Sequence, residues 1–208
     1  FFSATMAPEI ERITNTFLSN PKRVEVSRQA TASDTIVQNL YQIPSAPRDT
    51  QAKQKRAFLR KILEQEGSGL SNGIIFCNRK IDVDILAKSL KTHGYVAEAI
   101  HGDLEQAVRT KTLDGFREGK IRLLIASDVA ARGLDIPSVS HVFNFDVPSH
   151  AEDYIHRIGR TGRAGRMGKA IMIATPKDDK LLEAIQKLIG TEIPLTNFPV
   201  EIKRTPIQ

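Results

Sequence analysis

The octapeptide His156-Arg-Ile-Gly-Arg-Thr-Gly-Arg163 sets four cationic or potentially cationic side chains around two glycines. A purely structural helix disfavours this composition, because each mid-helix Gly costs about 1 kcal/mol relative to Ala. The spacing reads as a short helix over 151–158, after which Gly159 and Gly162 release the backbone so that Arg160 and Arg163 can aim at one point. Arg carries a permanent charge and a planar fork of donors that suits phosphate oxygens. The chemistry implied is a clamp closing on a phosphate chain from outside. A solvated basic loop, or a patch for the backbone phosphates of a nucleic acid, also fits the octapeptide.

The chain that must position these residues has 208 of them, enough for one large domain or a domain with appendages. A net charge of +6 and a pI near 9.5 suit a polyanionic partner without requiring one. Cys77, the single cysteine, lies in the apolar run Gly73–Cys77 and reads as a buried thiol rather than a nucleophile. No His/Cys cluster has zinc-ligand spacing. No apolar run reaches the ~18 residues of a membrane span. The start, Phe1-Phe-Ser-Ala-Thr-Met6, has no basic leader segment and reads as a cut through a longer chain. One cysteine and no export signal favour the cytoplasm.

In chain order, 8–18 reads as a helix with the stripe Ile10, Ile13, Phe17 and Leu18, and Pro21–Val26 as a short strand. Residues 27–35 are polar, lack a period and read as a linker between 1–26, the tail of another domain, and a domain over 36–208. There the spacing predicts strands at 36–43, 74–77, 95–100, 121–126, 139–145 and 169–175. It predicts helices at 50–66, 81–92, 105–118, 151–158 and 178–189. Phe58, Leu59, Ile62 and Leu63 make the apolar face of the helix at 50–66, with Lys and Arg opposite. Apolar strands alternating with amphipathic helices predict an α/β fold, a mostly parallel sheet with helices on both faces. Ligands of such sheets bind beyond the carboxyl ends of the strands. The loops Asn78-Arg79-Lys80, His101-Gly102-Asp103 and Ser127-Asp128 are candidates for one common face, with Asp146 set apart.

The motifs then match a family in order and spacing. Ser3-Ala-Thr5, Ile74-Ile-Phe-Cys-Asn78, His101-Gly-Asp-Leu-Glu-Gln-Ala-Val-Arg109, Ser127-Asp-Val-Ala-Ala-Arg-Gly-Leu-Asp135 and His156–Arg163 resemble motifs III, IV, the His-Gly…Gln-x-x-Arg element, V and VI of DEAD-box ATP-dependent RNA helicases. The resemblance covers essentially the whole chain and implies the second, RecA-like, three-layer domain of such an enzyme, preceded by the tail of the first. In this family ATP and Mg2+ are held mainly by the first domain, and the second closes over the nucleotide. By resemblance, Arg160 and Arg163 act as arginine fingers, Asp135 accepts from the ribose, Gly133 lets backbone approach the nucleotide, and His156 couples motif VI to the first domain. Arg132 pairs with a carboxylate of that domain, or with Asp135 or Asp128. RNA is held by its sugar-phosphate backbone, with Asn78, Arg79, Gly102, Gln106, Arg109 and Ser127 as candidates; Ser127 stands where the family commonly has Thr.

Bland roles stand beside these: Asp135 as a turn cap before Ile136-Pro137, His156 beside Glu152 on a surface helix, and Gln106 with Arg109 as an intrahelical pair. The chain has no Gly-x-x-x-x-Gly-Lys-[Ser/Thr] phosphate loop and no Asp-Glu-Ala-Asp stretch. It is therefore expected to be inactive alone, as half of an enzyme. A non-catalytic RNA-docking module and a translocating relative of the family are the other readings.

Overall fold

A computed structural model describes residues 8–20, 22 and 34–197. Ser3–Thr5, the expected strand at 21–26 except Lys22, and the expected linker up to residue 33 lie outside the described residues.

Six parallel strands make one sheet in the order β1-β6-β5-β2-β4-β3. They are β1 (Ile36–Gln42), β2 (Gly73–Phe76), β3 (Ala97–Ile100), β4 (Leu123–Ala126), β5 (His141–Asn144) and β6 (Gly168–Ala174). The helices are α1 (Pro8–Phe17), α2 (Arg48–Glu66), α3 (Lys80–Thr92), α4 (Gln106–Arg117), α5 (Asp128–Ala131), α6 (Ala151–Ile158) and α7 (Asp179–Ile189). Every strand and helix expected within the described residues is present. The single turn α5 was read as loop, because Asp128-Val-Ala-Ala131 is too short to show a helical period.

The central strands are buried on both faces, which is why they read as unbroken apolar runs. Alternate residues feed opposite cores. Ile75, Ile125 and Phe143 pack with Leu59, Ile62 and Leu63 of α2 and with Val83, Leu86 and Leu90 of α3. Ile74, Phe76 and Leu124 pack against Leu113 and Phe116 of α4. On that second side, Leu40, Ala170 and Met172 meet Tyr154 and Ile158 of α6 and Leu182, Ile185 and Ile189 of α7. The result is three layers: helices, sheet, helices. The edge strand β1 is covered by the chain at 194–196, where Leu40 N–H donates to the Pro194 carbonyl at 2.9 Å and Thr196 N–H to the Leu40 carbonyl at 2.7 Å. The stripe on α1, by contrast, faces outward, with Phe17 74% exposed.

Two details depart from the sequence reading. Lys55 is buried among the apolar residues of α2 instead of facing solvent. It lies four residues before Leu59 and seven before Ile62, so helical geometry puts it on the core side. Asp146 is not set apart. All six strands run the same way, and β5 pairs with β2 so that Asn144 faces Phe76. Asp146 therefore emerges beside Asn78.

Cys77 is fully buried at the end of β2, and burial, with Asp146 and Asp82 adding to it, pushes its thiol well above the usual range. Thiolate is the reactive form. Cys77 is expected to resist alkylation in the native protein and to react fully in denaturant; rapid native labelling would contradict this burial.

Candidate functional site

Helix α6 carries the site. Tyr154 and Ile158, one turn apart, face the sheet, and Tyr154 O–H donates to Gln38 Oε1 of β1 at 2.6 Å. Arg157 lies on the same inward side and is only 1% exposed. Its guanidinium spends every donor it has. Nε and Nη2 donate to the two Asp128 carboxylate oxygens, each at 2.7 Å. Nη2 also donates to Asn78 Oδ1 at 2.7 Å, and Nη1 donates to Asn144 Oδ1 at 3.2 Å and the Asp146 carbonyl at 2.7 Å. The Phe76 ring lies 5.2 Å away. Sequence reading passed over Arg157 in favour of its exposed neighbours. The signal that could have found it is phase: it sits three residues after Tyr154, on the buried side.

Beyond Ile158 the chain has crossed the sheet. Val139 N–H, two residues before β5, donates to the Arg160 carbonyl at 3.0 Å, and Thr161 bridges to Val139. The backbone of Arg160 and Arg163 thus lies where strands begin, about 12 Å of helix away from the carboxyl edge. Gly159 caps α6: its N–H still donates to the Ile155 carbonyl at 2.9 Å, but its ψ of 2° has left the helix, which ends at Ile158. Gly162 does the turning, at φ +67°, and a Cβ there would lie 2.5 Å from Ile36 Cγ1.

A small open depression separates α5 from α6, lined by Asp128, Ala131, Arg132, Asp153, His156 and Arg160. Arg132 is ion-paired with Asp153 of α6, rather than with Asp135 or Asp128. His156 has Asp153 as its nearest carboxylate, 3.9 Å from Nδ1, and not Glu152. Arg160 reaches across the depression to donate to the Ala131 carbonyl at 3.3 Å. Among the described residues it has no carboxylate within 4.0 Å. Burial, and then the neighbouring charge of Arg163, push its guanidinium below the ordinary Arg range. Arg163 is exposed, with Nε donating to the Gly159 carbonyl at 2.6 Å. The arrangement is a cationic pair short of anions.

Gly133 adopts φ +74° in open space, so only its conformation demands glycine. Asp135 lies outside the depression. Its side chain is 96% exposed and 3.2 Å from Arg117 at the end of α4.

The remaining candidates gather at the carboxyl edge. Asn78 is fastened inside, since its Nδ2 donates to the Val147 carbonyl at 2.9 Å and its Oδ1 serves Arg157. Arg79 points outward and chelates Asp82 at 2.6 and 3.0 Å; that carboxylate raises the guanidinium above its usual range. Gly102 is exposed after β3, and Ser127, 8% exposed, precedes α5. Gln106 and Arg109 meet each other on α4 at 3.3 Å.

An all-parallel α/β domain with its charged helix on one flank defines the RecA-like class. A family profile described as the helicase conserved C-terminal domain matches residues 54–165, more than half of the 208. The chain is 45% identical to the DEAD-box ATP-dependent RNA helicase CshA of Bacillus subtilis over 186 residues, 89% of this chain and 36% of that protein. It is 42% identical to the RNA helicase CrhR of Synechocystis sp. over 207 residues, 98% of this chain and 40% of that protein. Among solved structures, Dbp5 of S. cerevisiae bound to RNA and ADP BeF3 superposes with a TM-score of 0.80 at 34% identity, covering 94% of this chain and 49% of Dbp5. E. coli SrmB, bound to the regulator RraA, superposes at 0.72 and 34% identity, covering 83% of this chain and 98% of that one. The chain belongs to the helicase C-terminal domain family, in its DEAD-box branch. It spans well under half the length of the curated relatives it matches.

Gly162 and Gly133 should separate by calorimetry. Gly133→Ala should cost about 1–2 kcal/mol for the left-handed backbone alone, whereas Gly162→Ala adds an overpacking cost of about 1–3 kcal/mol against Ile36. Equal losses would mean that the Gly162 approach to Ile36 is not tight.

Proposed function

We propose that this chain is the closing half of an ATP-dependent RNA helicase. ATP and Mg2+ are held mainly by a first domain in cis. This chain closes over the nucleotide, supplies arginine fingers and forms half of a groove for single-stranded RNA, opening duplexes locally.

One observation carries the reading. Arg160 is half-buried, charged, and short of an anion, with Arg163 beside it. A polyphosphate brought against this flank would supply the missing negative charge. As the terminal phosphoryl group transfers, charge spreads over its outer oxygens, and Arg160 and Arg163 would neutralise it there. His156 and Arg132, gathered by Asp153, would meet the first domain at the same flank. Mg2+ would be held by the first domain and the phosphates; among the described residues no group of three or more His, Cys, Asp or Glu is placed to hold a metal ion. Gly133 and Asp135 complete the nucleotide side only if the loop carrying Asp135 turns from Arg117 on closure. The outward stripe of α1 supports a neighbouring domain that covers it.

At the carboxyl edge Arg79, Gly102, Gln106, Arg109 and Ser127 would follow the sugar-phosphate backbone, which carries affinity rather than sequence choice. Asn78 would contribute by fixing the loop. Arg79 would exchange Asp82 for a phosphate.

A second reading, an RNA-docking module without catalysis, draws on one observation: Asp135 faces Arg117 and not the cationic pair. Kinetics separate the two. In this chain joined to a DEAD-box first domain, Arg160→Ala and Arg163→Ala should each lower RNA-stimulated ATP turnover by about 10³-fold or more with ATP binding retained. Unchanged turnover would leave the docking module. The 208-residue chain alone should hydrolyse no ATP, and RNA-stimulated hydrolysis by it would refute the two-domain reading. Arg79→Ala should reduce the slope of log affinity for single-stranded RNA against log salt by about 0.7, one phosphate contact; an unchanged slope would remove Arg79 from the groove.

A further inference from the structure

Lys55 belongs to none of the motifs, lies on the far side of the sheet from α6, and is 8% exposed. Its ammonium sits 2.9 Å from Asp146 Oδ1 and 4.8 Å from the centroid of the Phe145 ring. The other oxygen, Asp146 Oδ2, accepts the backbone N–H of Asn78 at 3.1 Å. That N–H belongs to the first residue after Cys77, where the chain leaves the sheet and turns to Arg79. The Asn78 side chain is held separately by Val147 and Arg157. Asp146 is thus a two-ended clasp. One oxygen is anchored by a cation from α2, and the other grips the loop that presents Arg79.

Arg79 itself is exposed; the only partner of its side chain among the described residues is Asp82, while its carbonyl accepts the Asp82 and Val83 N–H groups at the start of α3. On the outer side, the turn's one side-chain tie to another loop among the described residues joins two exposed groups, Lys80 to Asp103 at 2.6 Å, which water screens. The buried ties come from the inside, through Asn78. Without the Lys55 ammonium, Asp146, whose side chain is 23% exposed, keeps one donor and is drawn toward water. The Asn78 N–H then loses its acceptor, and the loop loses one of its inner ties.

We propose that Lys55 is a positioning residue for RNA binding: acting through Asp146, it fixes the Asn78–Arg79 turn at the carboxyl edge without touching the RNA. The proposal rests on the RNA-facing reading of that edge. It deepens that reading by adding a residue from a helix that none of the recognised motifs includes. It also gives Lys55 a role that packing alone does not require, since a methionine would fill the same space beside Phe145.

The test uses the chain joined to its first domain and follows ATP turnover as single-stranded RNA is added. Lys55→Met should raise the RNA concentration for half-maximal stimulation by about 10-fold, the scale of one lost hydrogen bond to a charged group. Turnover at saturating RNA and KM for ATP should stay where they are, because Arg160 and Arg163 lie at the other end of α6. The double variant Lys55→Met/Asp146→Asn should recover the RNA response, since the amide oxygen still accepts from Asn78 and no charge is left unpaired. Arg79→Ala reports on the edge itself. A rise for Arg79→Ala with none for Lys55→Met overturns the proposal alone. No recovery in the double variant overturns the route through Asp146. A loss of turnover in Lys55→Met that tracks the unfolded fraction, with half-saturation unmoved, shows a structural role only and overturns it. No rise for either single variant overturns the RNA-facing edge and this proposal together.

Discussion

The structure depends on a buried guanidinium. Taking an ion out of water costs several kcal/mol, and the cost is met only if every hydrogen-bonding group finds a partner. Arg157 has five N–H donors and makes five hydrogen bonds. Its acceptors come from the ends of β2 and β5 and from the first residue of α5. β2 is separated from α5 and β5 by more than fifty residues of sequence. The carboxyl ends of the strands and the inner side of α6 are therefore fixed to one another by a planar group that tolerates little displacement.

This fastening explains why two arginines three residues apart behave so differently. Arg157 is spent inside. Arg160, two residues past the end of the same helix, lines the depression, reaches the Ala131 carbonyl and has Arg163 beside it. A charge held without a counter-ion is useful only where the scaffold prevents it from folding back onto a carboxylate. The nearby carboxylates are already engaged, Asp128 by Arg157 and Asp153 by Arg132. The ion pairs of the flank leave Arg160 available, and Gly162, by passing close to Ile36, sets where the loop leaves the sheet.

The fold was legible because its strands are short, apolar and separated by amphipathic helices; periodicity needs nothing more. Candidate residues were legible as types, less so as placements. Lys55 and Arg157 were missed for one reason: long cationic side chains are assigned to solvent by chemistry, although their phase, with Leu59 and Ile62 or with Tyr154, put both inward. Asp146 was set apart because strand order is invisible in sequence, and the β5–β2 register that sets it beside Asn78 is a long-range fact. Gly159, read as a release point from its identity, is where α6 ends, and the left-handed turn falls to Gly162. Asp135 could be paired correctly only once α4 was placed, since Arg117 is distant in sequence.

The central claim is that Arg157 and Asp128 act as one unit. A double-mutant cycle by urea unfolding tests it directly, using Arg157→Met, Asp128→Asn and both together. Removing Arg157 alone should cost about 3–5 kcal/mol, because Asp128 and the carbonyl acceptors lose their partner in a buried place. The double variant should lose less than the sum of the singles, with a coupling of about 2–3 kcal/mol. Losses that simply add would show that the two residues are held by their surroundings independently, and that Arg157 does not bind the strand ends to α6.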